Sequence, residues 1–183
     1  MSSTTSRPPR TPGALLADAV ADLTDAVARL AELTRAGALV EVPGSALAGL
    51  TVAMHRAGDR LAAVSTVATG VVHASGALEV DGFASTKAWL QGPCRTSETE
   101  SKVLLASSTA LRDEYAATAD AWLAGEVPGG AVREITRGIT LAVKALPVLE
   151  RAERTGEAEE ILLALARTSP VADVARAARV LRF

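Results

Sequence analysis

Two long stretches of this chain repeat apolar residues every three or four positions, a period that fits one face of a helix and not a strand. Between Leu15 and Thr34 the positions Leu16, Ala19, Val20, Leu23, Val27 and Leu30 form such a stripe, and Asp18, Asp22, Asp25, Arg29 and Glu32 fill the other faces. Gly37 stops this helix. Pro43-Gly44-Ser45 starts a second, whose stripe runs through Leu47, Leu50, Met54, Ala57, Leu61, Val64, Ala68 and Val71 at near-heptad spacing and ends around Gly76. Matching stripes joined by a short connection predict a long antiparallel hairpin with Leu23 and Leu61 in its core.

The remaining composition agrees with an all-α class. Ala, Leu and Val dominate, aromatic residues are 3%, and no Asn occurs in the 183 residues. β-Branched residues fall singly inside helical patterns, and no turn signal sits between alternating strands. The net charge of −2 gives no global attraction for nucleic acid or anionic membrane. One cysteine, Cys94, excludes an internal disulfide and suits a reducing cytoplasm. The N-terminal stretch MSSTTSRPPRTPG lacks a signal peptide's apolar core and reads as a disordered tail over 1–13. The longest apolar run, Leu61 to Val72, carries Ser65, Thr66 and Thr69 and is too short to span a bilayer, which takes about 20 residues.

Shorter helices follow. Ser85 caps one that ends at Gln91 before Gly92-Pro93, with Trp89 as its buried anchor. Ser97 and Glu100 form a capping box for the next, which buries Val103, Leu104 and Leu111. A further turn set by Ala119, Trp122 and Leu123 stops at Gly125, and Val127-Pro128-Gly129-Gly130 is a tight turn. Helices are expected from Ala131 to Ala145, from Ala158 to Arg167 after the break at Gly156, and after Ser169-Pro170 toward Phe183. No internal repeat and no compositional shift marks a second domain. The expectation is one all-α domain over 14–183, a multi-helix bundle in which the hairpin packs on a cluster of shorter helices containing both tryptophans.

The stretch from Asp81 to Val132 carries a family likeness. It reads DGFASTKAWL, a Gly-Pro-Cys turn, then TSETESKVLLASSTALRDEYAATADAWLAGEVPGGAV, with one Trp-Leu pair closing each of two short helices. That layout resembles DUF 222, also called the 13E12 repeat family, found mostly in actinobacteria and usually N-terminal to an HNH nuclease module. The resemblance implies a companion domain and no activity of its own. The chain ends at Arg-Val-Leu-Arg-Phe, about where the family's nuclease portion would begin, so the nuclease is expected to be absent.

The residues agree. An HNH nuclease needs histidines to hold metal and activate water. Only His55 and His73 occur, on the second long helix and on a face with Asp59, Ala62, Thr66 and Thr69 that lies opposite the apolar stripe. They are roughly 27 Å apart at helical rise and cannot share an ion. The carboxylates read as structural: Glu98 precedes Lys102 by four positions, and Glu157, Glu159 and Glu160 crowd a helix start. Cys94 follows Gly-Pro with no histidine in a recognisable motif beside it, and reads as a loop thiol. No phosphate loop occurs. No catalytic residue, metal site, cofactor or small-molecule ligand is expected.

One pattern has functional direction. From Gly125 to Ile135 the chain is similar to the helix-turn-helix of partition-type DNA-binding proteins. Arg133, Arg137 and Lys144 lie on one stripe of the following helix, flanked by Thr136 and Thr140. Such side chains suit phosphates and guanine edges. The last helix adds Arg176, Arg179 and Arg182 at spacings of three. Segment 131–183 has nine Arg and Lys against seven Asp and Glu, a net of +2 within an acidic chain. The leading expectation is therefore a non-catalytic DNA-associated accessory domain whose partner is double-stranded DNA. The alternative is a cytoplasmic interaction module without DNA affinity, assembling through the hairpin with itself or with a separately encoded nuclease.

Overall fold

The computed structural model describes residues 11–181; positions 1–10 and 182–183, with most of the expected tail and Arg182, lie outside them. The described residues form ten α-helices and no strand. The protein is an all-α, multi-helix bundle. Among the described residues no helix is long and apolar enough to cross a membrane. The chain divides into two compact units, one running to Val52 and one from Ala53 onward.

The first unit holds α1 (Pro12–Arg35), α2 (Ala38–Glu41) and the start of α3 (Gly44–Ser75). Thr11 caps α1 by accepting the Ala14 amide, and Pro12 occupies the first turn, where its missing N–H costs nothing. Pro12 and Gly13, expected in the tail, are thus helical. Gly37, with φ of +84°, makes the left-handed step into α2. No side chain of α1 is buried.

The second unit continues α3 and adds α4 (Ala77–Val80), α5 (Thr86–Gln91), α6 (Glu98–Asp113), α7 (Ala116–Ala124), α8 (Gly129–Val143), α9 (Val148–Ala166) and α10 (Val171–Val180). Its core joins Leu111, Tyr115, Trp122 and Val127 to Ile135 and Ile139 of α8, Leu162 of α9 and Val174 of α10. Trp122 is in that core; Trp89 is half-buried and outside it.

The hairpin core is where the sequence reading fails. Leu23 is 39% exposed and Leu61 43%, and Leu50, Met54, Val64 and Val71 are exposed with them. The buried residues of α3 are Ala63, Thr66, Thr69 and Gly70, which belong to the face expected to be wet. Small side chains win there because they let backbones approach. A Cβ at Gly70 would lie 2.9 Å from the Ser108 carbonyl oxygen of α6. The threonines can be buried because each hydroxyl donates to a carbonyl one turn back, Thr66 to Ala62 at 2.7 Å and Thr69 to Ser65 at 2.8 Å.

Asp59 and Arg60 of α3 fasten the C-terminal end of α7 and the start of α8. Asp59 accepts the Trp122 indole N–H at 3.2 Å and the Gly129 amide at 3.0 Å, capping α8, whose own N-cap, Pro128, has no side-chain acceptor. Arg60 donates to the Ala124 carbonyl at 2.6 Å, at the end of α7. At the other end, Tyr115 is the N-cap of α7 and its side chain caps none of that helix's amides. Glu159 of α9 supplies it instead, accepting both the amide and the hydroxyl of Thr118 at 2.8 and 2.7 Å. The α6 capping box forms as expected, with Ser97 accepting the Glu100 amide and Glu100 accepting the Ser97 amide.

Candidate nucleic-acid interface

The turn after α7 is set by Gly125, whose φ of +74° ends that helix, and α8 begins two residues earlier than expected, at Gly129. Its inner face carries Val132, Ile135, Ile139 and Val143, all buried. Arg133, Arg137, Thr140 and Lys144 are all exposed, on the side away from this apolar row. The stripe that the spacing predicts is therefore a real surface of the helix.

What the sequence could not show is that α10 runs beside α8. The two are parallel neighbours: Gly130 faces Val171, and two turns on, a Cβ at Gly138 would lie 2.5 Å from the Cβ of Ala178. This close crossing brings two of the expected residues together. Arg137 of α8 and Arg179 of α10 line one cleft of about 690 Å³, with Glu134, Leu141, Ala142 and Ala175 around them. Arg133 stands apart, at a second cavity of about 340 Å³ walled by Trp122, Leu111 and Val132. Arg133 and Arg137, one turn apart, thus face different hollows.

The remaining site residues differ in availability. Arg176 is exposed but paired with Asp173 at 3.2 Å. Arg179 donates from Nε to the Ala175 carbonyl of its own helix at 3.1 Å. The Thr140 hydroxyl is 2.9 Å from that of Tyr115, which ties this exposed side chain to the core. Thr136 donates to the Val132 carbonyl at 3.1 Å. Lys144, the C-cap of α8, is exposed, and its carbonyl accepts from Arg151. Arg182 is outside the described residues.

Packing also sorts the charges of the C-terminal third. α8, its Lys144 cap and α10 carry Arg133, Arg137, Lys144, Arg176 and Arg179 against Glu134 and Asp173. The other carboxylates fall on α9, at Glu150, Glu153, Glu157, Glu159 and Glu160. A small net positive charge in the sequence becomes a basic pair of helices beside an acidic one.

No family model, no curated protein and no solved structure matches this chain.

The other candidate groups are dispersed. His55 is exposed, and His73 reaches from α3 to place Nδ1 2.9 Å from the Thr86 hydroxyl of α5. Cys94 is an exposed free thiol. Among the described residues no three His, Cys, Asp or Glu side chains come close enough to hold a metal ion. Sequence reasoning passed over Gly138, whose signal was a row of small residues, Gly138, Ala142 and Ala145, facing Ala175 and Ala178 in the last helix.

Proposed function

We propose that this protein is a non-catalytic, DNA-associated accessory domain of the kind that accompanies HNH nucleases, touching the duplex backbone with the paired faces of α8 and α10. The proposal includes the likeness of 81–132 to DUF 222 and a cytoplasmic location. The observation that carries it is the convergence of Arg137 and Arg179, from separate helices, on one cleft. Guanidinium groups on a rigid two-helix seam can track phosphates without an entropic cost for ordering a loop, and Lys144 extends the row. Thr140, exposed beside the row, joins it to the core through its contact with the Tyr115 hydroxyl.

Fluorescence anisotropy with a labelled duplex tests this. Wild-type binding at low salt should weaken steeply as salt rises, since neutralised phosphates release counterions. Arg137→Ala with Arg179→Ala should reduce the slope of log K against log salt by about two units and leave the thermal melt unchanged. Absence of wild-type binding at low salt, or binding that ignores the double change, would refute the assignment to this face.

Assembly is the second reading, favoured by α1, a helix with a continuous apolar stripe and no buried side chain. Apolar surface of that extent on a soluble domain marks an interaction site.

A further inference from the structure

The exposed stripe of α1 has an internal order that selects its occupant. Leu16, Leu23 and Leu30 recur every seven residues, and Ala19, Ala26 and Leu33 recur three positions after each. These are the two seam positions of a heptad, and Val20 and Val27 widen the seam on one side. Leu16 is 63% exposed, Leu33 56%, Leu30 50% and Leu23 39%, and no residue of the seam is buried. A helix of 24 residues is about 36 Å long. Its propensity alone holds it weakly in water, and burial of such a face is what normally stabilises it.

We propose that α1 pairs with α1 of a second copy of this chain, antiparallel. This rests on the assembly reading and deepens it by naming partner and geometry. In an antiparallel pair each first seam position meets the second seam position of its neighbour. Leu23 then lies against Ala26 of the second copy, Leu30 against Ala19, and Leu16 against Leu33. Large-against-small layers at the centre let the two backbones approach closely, and leucine pairs close both ends.

Charge selects the direction. The first half of α1 carries Asp18 and Asp22 with no basic residue, and the second half Asp25, Arg29, Glu32 and Arg35. Parallel pairing would set the acidic halves side by side. Antiparallel pairing sets each beside the half that holds both arginines. It brings Asp22, flanking the seam, next to Arg29 of the second copy, and by symmetry does so twice. The opposed helix dipoles add in the same sense.

Light scattering and sedimentation equilibrium on the full chain test this. Wild type should show twice the 18.8 kDa chain mass. Leu23→Asp should give a monomer whose helical circular dichroism outside α1 and whose Trp122 emission are retained, because no α1 side chain is part of a core. Asp22→Arg and Arg29→Asp should each weaken association by roughly 2- to 30-fold, from two surface ion pairs per dimer. Combining them reverses both partners and should restore it. A wild-type monomer at the highest soluble concentration overturns both assembly with itself and this pairing. A dimer that survives Leu23→Asp keeps assembly but overturns α1 as its surface. A combined variant no better than the single ones overturns the antiparallel direction.

Discussion

Replacing Gly138 by alanine should reverse the usual sign of that substitution inside a helix. Glycine to alanine in a helix interior ordinarily stabilises by about 1 kcal/mol, because alanine has less backbone entropy to lose. At Gly138 the new methyl would sit 2.5 Å from the Ala178 Cβ and 3.2 Å from both its Cα and its carbonyl oxygen. Ordinary carbon contacts lie at about 3.5–4.0 Å, so α8 and α10 would have to separate by about 1 Å. No rotamer change relieves this, since the obstruction is a methyl and a backbone. Overpacking of this kind costs about 1–3 kcal/mol, and the upper part of that range applies where backbone is the obstacle. Against the propensity gain the net should be a loss of about 1–2 kcal/mol, or a fall in Tm of roughly 2–8 °C for a domain of this size.

Gly156 provides the control. It lies inside α9 with nothing within 4 Å of an added Cβ, so Gly156→Ala should stabilise by about 0.5–1 kcal/mol. Urea and thermal denaturation followed by circular dichroism would compare the two. Adding Ala178→Gly to Gly138→Ala should leave the double variant more stable than the sum of the single changes by roughly 1 kcal/mol. If Gly138→Ala stabilises as Gly156→Ala does, α8 and α10 are not in contact at this spacing, and the shared Arg137–Arg179 cleft is lost with it.

Leu111→Ala, at a buried core position, should cost about 2–5 kcal/mol, while Leu61→Ala should cost under about 1; equal losses in denaturant titrations would contradict the assigned face of α3. Glu159→Ala leaves the Thr118 amide and hydroxyl unpaired inside the protein and should cost about 2–3 kcal/mol, with Glu159→Gln, which keeps an acceptor, costing clearly less. Burial, aided by the charges of Glu114 and Glu159, pushes the Tyr115 hydroxyl above its ordinary value against the lowering effect of Thr140. The unfolded chain then loses this proton first, near pH 10, so stability should be complete below that pH and decline as pH rises through the folded value. Tyr115→Phe should abolish that part of the alkaline loss in melts recorded across the range.

Local signals in the sequence were reliable where the responsible atoms were local. The Ser97–Glu100 box and the Ser85 cap hold hydrogen bonds three residues long, and both form as read. Helix limits slipped where the partner was distant. α8 starts at Gly129 because Asp59, seventy positions away, receives its amide. Pro170, expected as the first helical residue behind a Ser169 cap, is itself the N-cap of α10. α9 starts at Val148, ten residues before the expected Ala158, because Gly156 sits on an open helix surface and breaks nothing. Period alone also cannot say which face of α3 docks. It finds the leucines, whereas closeness of approach selected Ala63, Thr66 and Gly70. The exposed row on α8 was legible for the opposite reason, since the apolar residues behind it do fill the core. Its alignment with α10 was not, because it depends on one glycine finding one alanine forty residues on.

Asp59 has a consequence for the order in which the molecule can open. α8, α9 and α10 are consecutive in the chain and pack on one another, so their contacts close short loops, while Asp59 joins α3 to the start of α8 across α4 to α7. Loop closure of that length is the later and more costly event, and its reversal the earlier one. Lifting α3 would free the Trp122 indole and the Gly129 amide in one step, because a single carboxylate holds both. Indole emission and amide hydrogen exchange at Gly129 should then report one opening equilibrium, at a free energy below that protecting Ile135 and Ile139.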